Sequence, residues 1–157
     1  RTSRLFGKQG SGKQSFVDLM LARAKKPEIV SPYGDMISVV DAEVSSPTYV
    51  EDLARRTREI IEQKKPSGIY HVTNSGATTW YGFAQEVFRQ TFEVGPHKGG
   101  PTSEYRNMPL VTAVPSSRFP RTAKRPAYSQ LLNTKLPPLR SWQEALRHYL
   151  THDFPRV

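Results

Sequence analysis

A chain of 157 residues with 13 prolines, 10 glycines, no cysteine and a net charge of +9 is sized for one domain. The missing cysteines exclude disulfides and thiolate metal sites, and no apolar run reaches the ~18–20 residues that cross a bilayer. Hydrophobic content of 36% is low against the usual ~45–50%, a range that also counts glycine, so part of the core is expected to lie elsewhere.

In chain order, Thr2–Phe6 reads as a short buried strand and Gly7–Gly12 as a turn. Ser15–Lys26 follows as a helix, with Phe16, Leu19, Met20 and Arg23 at helical spacing. Met36–Val40 is a second strand. Thr48–Gln63 is the clearest helix, with Val50, Leu53, Ala54, Thr57, Ile60 and Ile61 on one face and Thr48 with Glu51 as a capping box. Ile69–Thr73 reads as a strand, and Thr79 caps a helix whose apolar face is Trp80, Phe83, Ala84, Val87 and Phe88. Gly95–Pro109 is loop-like, Leu110–Val114 a strand, and Pro115–Pro138 irregular. Ser141 and Glu144 form a capping box before Trp142, Ala145, Leu146, Tyr149 and Leu150. This β-α-β-α-β-α-β-loop-α order predicts an α/β layered domain with mostly parallel strands. The chain opens inside a strand, which predicts that a segment precedes it.

Gly7-Lys8-Gln9-Gly10-Ser11-Gly12-Lys13-Gln14 matches a phosphate-binding P-loop until its last position, where Gln14 stands in place of the magnesium-holding Ser or Thr. The P-loop is rejected on that ground. Dinucleotide-binding glycines are absent, since Ser15 stands where a third glycine belongs. His148 and His152 sit one helical turn apart, with no third ligand at a helpful spacing, so no metal is expected. Arg55, Arg56 and Arg58 read as a solvated face.

Two features point to a ligand. Asp41–Tyr49 joins a strand's carboxyl end to a helix, where open α/β sheets gather ligands. It serves equally as a plain helix-start loop, and both readings stay open. The second feature is charge. Between Glu104 and Glu144 there is no acidic residue, and Arg106, Arg118, Arg121, Lys124, Arg125, Lys135 and Arg140 fall there. Such a field favours an anion, and arginine grips phosphate through paired charge-assisted bonds. Nucleic acid fits poorly, because aromatics are not interleaved for base stacking.

Several segments together resemble the dTDP-4-dehydrorhamnose reductases of the extended short-chain dehydrogenase/reductase class. Arg1-Thr2-Ser3-Arg4-Leu5-Phe6-Gly7 is similar to that family's Arg-Thr-Ser-Trp-Val-Tyr-Gly strand. Val39-Val40-Asp41 through Ser46-Pro47-Thr48-Tyr49, then Gly68–Asn74 and Trp80–Ala84, follow its order. So do Phe119–Arg121, Lys124–Ser129, Asn133–Leu136 and Pro137–Leu146. The chain departs from the family at Arg4, Phe6, Ala42, Glu43 and Ser45, and Glu28–Ile37 and Gly95–Pro109 are unlike it.

The resemblance implies the C-terminal half of a Rossmann-like fold, residues 1–157, with the small substrate-binding subdomain and without the N-terminal dinucleotide-binding part. It implies a dTDP-sugar substrate and NADPH or NADH in the complete enzyme, with neither held tightly by this chain alone. The family's Tyr-x-x-x-Lys pair is missing: none of the seven tyrosines has a lysine four residues later, so no catalytic residue is assigned. Substrate-binding candidates are Ser3, Arg4, Glu43 and Ser46 near the sugar or nicotinamide. Arg118, Arg121, Lys124 and Arg125 are assigned to the diphosphate, and Tyr128 to the nucleotide or sugar. The expected partner is the missing half or a partner chain, with a homodimer left open and no membrane contact, in the cytoplasm. The rivals are a non-catalytic reductase-like assembly subunit and a basic nucleic-acid-binding module.

Overall fold

A computed structural model of the chain describes residues 1–8, 14–24, 36–93, 109–123 and 125–154. The central turn of the P-loop-like run, the Gly95–Pro109 loop except Pro109, and Lys124 lie outside them. Four short strands and four helices run β1 (Leu5–Phe6), α1 (Phe16–Ala24), β2 (Met36–Val40), β3 (Thr48–Tyr49), α2 (Val50–Glu62), α3 (Trp80–Phe88), β4 (Leu110–Val114) and α4 (Trp142–His148). The strands form two parallel pairs, β1 with β3 and β2 with β4, the latter in register Met36↔Leu110 through Val40↔Val114. The expected α/β architecture with parallel strands is therefore present.

Helix α3 packs on both β2 and β4 and against α1. Its apolar spacing delivers Phe83, Ala84, Val87 and Phe88 to the core, and Thr79 caps it by accepting from the Gly82 amide at 3.1 Å. The core is aromatic-rich. Phe6 stacks on Tyr49 at 5.6 Å, Phe83 meets Phe6 and Trp142 at 5.5 Å each, and Tyr149 closes on Phe6 at 6.1 Å. Each fully buried side chain of this size contributes roughly 1.5–3 kcal/mol. The Tyr149 hydroxyl donates to Asp18 at 2.6 Å, tying the C-terminal helix to α1. Burial, then that acceptor, raises the Tyr149 pKa above its usual value.

Gly7 is the one glycine on which this closure depends. Its φ is +145°, and a Cβ there would lie 2.4 Å from Val50 Cγ2, so the chain leaving β1 crosses α2 with no room for a side chain.

The capping box before α4 is complete. Ser141 Oγ accepts from the Glu144 amide at 3.2 Å, and Glu144 accepts from the Ser141 amide at 2.9 Å. Ser141→Ala is expected to cost about 1 kcal/mol, seen as a lower urea midpoint with unchanged slope. An unchanged midpoint would contradict it.

Four expectations need correction. The strand at Thr2–Phe6 is only Leu5–Phe6, because Arg4 breaks it with φ +46°. Ile69–Thr73 is extended but not a strand; its backbone bonds are to Arg1, through Tyr70 O and Val72 N. Thr48 does not cap α2. It pairs with Leu5 in β3, Tyr49 takes the N-cap position, and no side chain caps there. In α1 the buried residues are Val17, Met20 and Leu21, while Leu19 is exposed.

The apolar face of α2 is the largest departure. Asp52 is the only buried residue in that helix. Val50, Leu53, Ala54, Thr57 and Ile61 instead line an open groove of about 640 Å³ with Arg58 and Glu62, and Ile61 is 70% exposed.

Candidate functional site

The Asp41–Ser46 loop leaves the carboxyl end of β2 and is gripped from both sides. Asp41 N donates to Val114 O at 3.0 Å, and Thr79 Oγ1 donates to Asp41 Oδ1 at 2.5 Å. Ser45 and Thr78 exchange backbone bonds at 3.1 and 3.0 Å. On the other flank, Val44 N donates to Ala127 O at 2.7 Å and Ser129 N to Val44 O at 2.9 Å. The loop thus becomes the middle rung between the segment before α3 and a basic strap over residues 116–129.

Glu43 is the centre of this arrangement. The residue is 7% exposed, and its carboxylate accepts from Trp80 Nε1 at 3.2 Å and from Ser116 Oγ at 3.3 Å. Arg125 Nη1 lies 3.4 Å from one oxygen and Arg121 Nη1 3.9 Å from the other. A buried carboxylate is costly unless paired, and four groups from two segments, α3 and the strap, meet that demand.

Arg4 forms the adjoining wall. Its guanidinium sits 4.0 Å over the Trp80 ring and donates to Thr78 O at 3.0 Å and Glu43 O at 2.8 Å. Burial lowers its pKa to about 10, with Glu43 opposing and Arg125 adding to the fall. It stays cationic at neutral pH. Trp80 also meets the Phe16 ring at 4.6 Å, so the indole contacts both an aromatic ring and a cation.

Arg4, Glu43, Arg121 and Arg125 are therefore brought together. Ser46 is buried beneath the same loop, where its carbonyl accepts from Thr48 Oγ1 at 3.3 Å. Ser3 is half-buried beside Arg4. Tyr128 is 79% exposed beside the loop, with its backbone bridged to Val44. Arg118 is exposed at the end of the short turn that begins at Ser116.

Arg140 belongs elsewhere. It grips Asp52 through Nε and Nη2 at 2.8 and 2.9 Å, so its charge is spent inside the fold. Asn74, 1% exposed, donates to Asp52 Oδ2 at 2.8 Å and to Arg140 O at 3.1 Å. Its carbonyl accepts the Tyr49 amide at 2.8 Å. This network is what fixes the start of α2 in place of a local cap. The sequence carried one signal for it, an aspartate in the helix's first turn, with no sign of its distant partners. Lys135 lies 5.3 Å over the Tyr70 ring, also away from the site. Arg56, read as solvated, has a side chain only 14% exposed beside Glu59.

A further grouping escaped the sequence. Glu51, His148 and Asp153 each offer a ligand atom, all within 4.8 Å of one another. His148 also stacks on His152 at 4.4 Å. Asp153 accepts from the Tyr49 hydroxyl. Burial, then Arg140 and His152, push the His148 pKa down, against Glu51 and Asp52. Spacing alone could not place Glu51 opposite a helix so far along the chain. No described helix is long and apolar enough to cross a membrane.

Residues 1–154 match the family of RmlD substrate binding domains. The chain is 37% identical over 152 residues to a probable dTDP-4,6-dihydroxy-2-methyloxan-3-one 4-ketoreductase of Streptomyces antibioticus, covering 94% of this chain and 44% of that protein. It is 34% identical over 166 residues to a dTDP-4-dehydrorhamnose reductase of Streptomyces griseus, covering 100% of this chain and 46% of that protein. Among solved structures, a dTDP-4-dehydrorhamnose reductase of Bacillus anthracis in complex with NADP superposes with TM-score 0.73 at 29% identity, over 95% of this chain and 45% of that one. The orthologue from Clostridium acetobutylicum gives TM-score 0.71 at 33% identity, over 95% and 46% of the two chains. The chain spans about half the length of the curated relatives it matches.

Proposed function

The chain belongs to the family of RmlD substrate binding domains, and from that membership we propose that it is the C-terminal, substrate-binding half of an NADPH-dependent sugar-nucleotide reductase. The substrate class is a dTDP-linked 4-keto sugar, as in dTDP-L-rhamnose formation. One observation carries the reading. Arg121 and Arg125 converge on the Asp41–Ser46 loop with side chains still 42% and 49% exposed, beside the exposed Tyr128 ring. Two half-exposed arginine side chains at the carboxyl end of a parallel pair suit a diphosphate. Arg118 is exposed near that face, and Lys124, outside the described residues, is assigned to the diphosphate from the sequence alone. Ser3, Arg4 and the Glu43–Ser46 loop form the sugar side, with Arg4 as a wall held by Trp80 in place of the family's tryptophan.

The dinucleotide does not fit the residues present. No tyrosine–lysine pair at the family's spacing and no glycine-rich dinucleotide turn occur in the sequence, so NADPH is assigned to the other half and no catalytic step to this one. The S. antibioticus relative, described as acting on a different dTDP-linked sugar, keeps the sugar's identity at the level of a class. Cysteine-free composition suits the reducing cytoplasm, where we place the protein.

The uncovered stripe of α2 supports the half-domain reading. An amphipathic helix normally buries its apolar face, and the occupant we assign here is the cofactor-binding half. In the complete enzyme, Arg125→Ala is expected to raise the KM for the sugar nucleotide about tenfold while kcat changes little. An unchanged KM would remove Arg125 from the diphosphate site.

A further inference from the structure

We propose that Glu43 is a built-in competitor for the diphosphate, a tethered carboxylate that occupies Arg121 and Arg125 and sets how strongly the cleft holds an anion. The inference rests on the sugar-nucleotide reading above and concerns a residue at which the chain departs from the family it resembles.

The geometry separates two roles that one carboxylate could play. As an anchor, Glu43 would aim the two arginines and strengthen binding. That role needs tight bonds, and charge-assisted N–H···O bonds run at ~2.7–2.9 Å. The observed separations are 3.4 Å to Arg125, a single long hydrogen bond, and 3.9 Å to Arg121, so neither fork is held bidentately. As a competitor, it acts through its charge, which falls off only as the inverse of distance. That effect survives these separations, and it is strengthened because the Glu43 side chain is only 9% exposed.

The carboxylate cannot swing away when ligand arrives. Trp80 Nε1 and Ser116 Oγ bond its two oxygens, and the backbone that follows it is bonded on both flanks, at Val44 to the strap and at Ser45 to Thr78. The arginines are the more exposed partners, with side chains 42% and 49% exposed against 9% for Glu43. Each meets Glu43 through one nitrogen, leaving most of its five donors for an incoming anion. A diphosphate therefore binds by sharing or taking over the two forks while Glu43 repels it from beneath. The consequence is a cleft tuned for exchange, one that releases a charged product more readily than a purely basic strap would.

Thymidine diphosphate titrated into this chain by calorimetry tests the assignment. Glu43→Gln removes the charge at nearly constant shape, and Glu43→Met is a second charge-free variant of similar length. Both are expected to bind thymidine diphosphate roughly tenfold more tightly than the unmodified chain, a change of about 1.4 kcal/mol. Arg125→Ala is expected to weaken it in either background. Unchanged or weaker binding by both Glu43 variants, with the unmodified chain still binding, overturns the competitor role and leaves the diphosphate site standing. Absence of binding in every variant overturns the diphosphate reading and this inference with it.

Discussion

Asp52→Ala is expected to lower the unfolding free energy by about 3–5 kcal/mol, the cost of removing one partner from a buried ion pair. The Asp52 side chain is 3% exposed and carries three partners, Arg140, Asn74 and Arg55. Its loss leaves the Arg140 guanidinium without its carboxylate and takes one of three hydrogen bonds from the enclosed Asn74 amide. Because Asn74 also accepts the Tyr49 amide, damage spreads to β3 and the start of α2. At ~2–4 °C per kcal/mol for a chain of this size, melting should fall by about 10 °C. A double-mutant cycle with Arg140→Ala isolates the pair: strong non-additivity is expected, and simple additivity would show that the ion pair matters little.

The isolated chain should show no NADPH oxidation with a dTDP-4-keto sugar, and mixing it with a cofactor-binding half should restore turnover. The part of the NADP-bound B. anthracis reductase outside the 45% matched here is the fragment to test in that role. Turnover by the chain alone would overturn the half-enzyme reading. Restoration should fail for Ile61→Asp, which places a charge on the open stripe of α2. Because Ile61 is exposed in the chain alone, its own melting temperature should hold within a degree or two. A drop in melting without loss of turnover would show that the stripe closes within this chain instead. If the halves associate yet remain silent, the assembly-subunit reading gains.

What the sequence made visible follows from which interactions are local. Helix α3, its Thr79 cap and the Ser141–Glu144 box depend on neighbours three or four residues away, and all were readable. Strand β2 was equally plain, because its apolar run matches its burial, whereas β4 was legible as a strand although none of its residues is fully buried. The start of α2 was misread for the opposite reason. Thr48 has the right chemistry for a cap, but pairing with Leu5 across the fold claims it first. Arg140 looked like part of an anion-binding field because its neutralising partner lies 88 residues away. At the site, Arg4, Glu43 and the basic strap were nameable from the family resemblance. That Glu43 would face Arg121 and Arg125 was not, since only the backbone rungs at Thr78 and Ala127 bring them together.

The bond from the Tyr149 hydroxyl to Asp18 closes a separation of 131 residues. Loop-closure entropy must be met before such a contact stabilises anything, and parallel pairing over long separations slows folding further. During synthesis, α1 and Phe6 can pack on Tyr49 and Phe83 early, but the cluster lacks Trp142 and Tyr149 until α4 has left the ribosome. A product truncated before Trp142 is therefore expected to keep an open, protease-sensitive core.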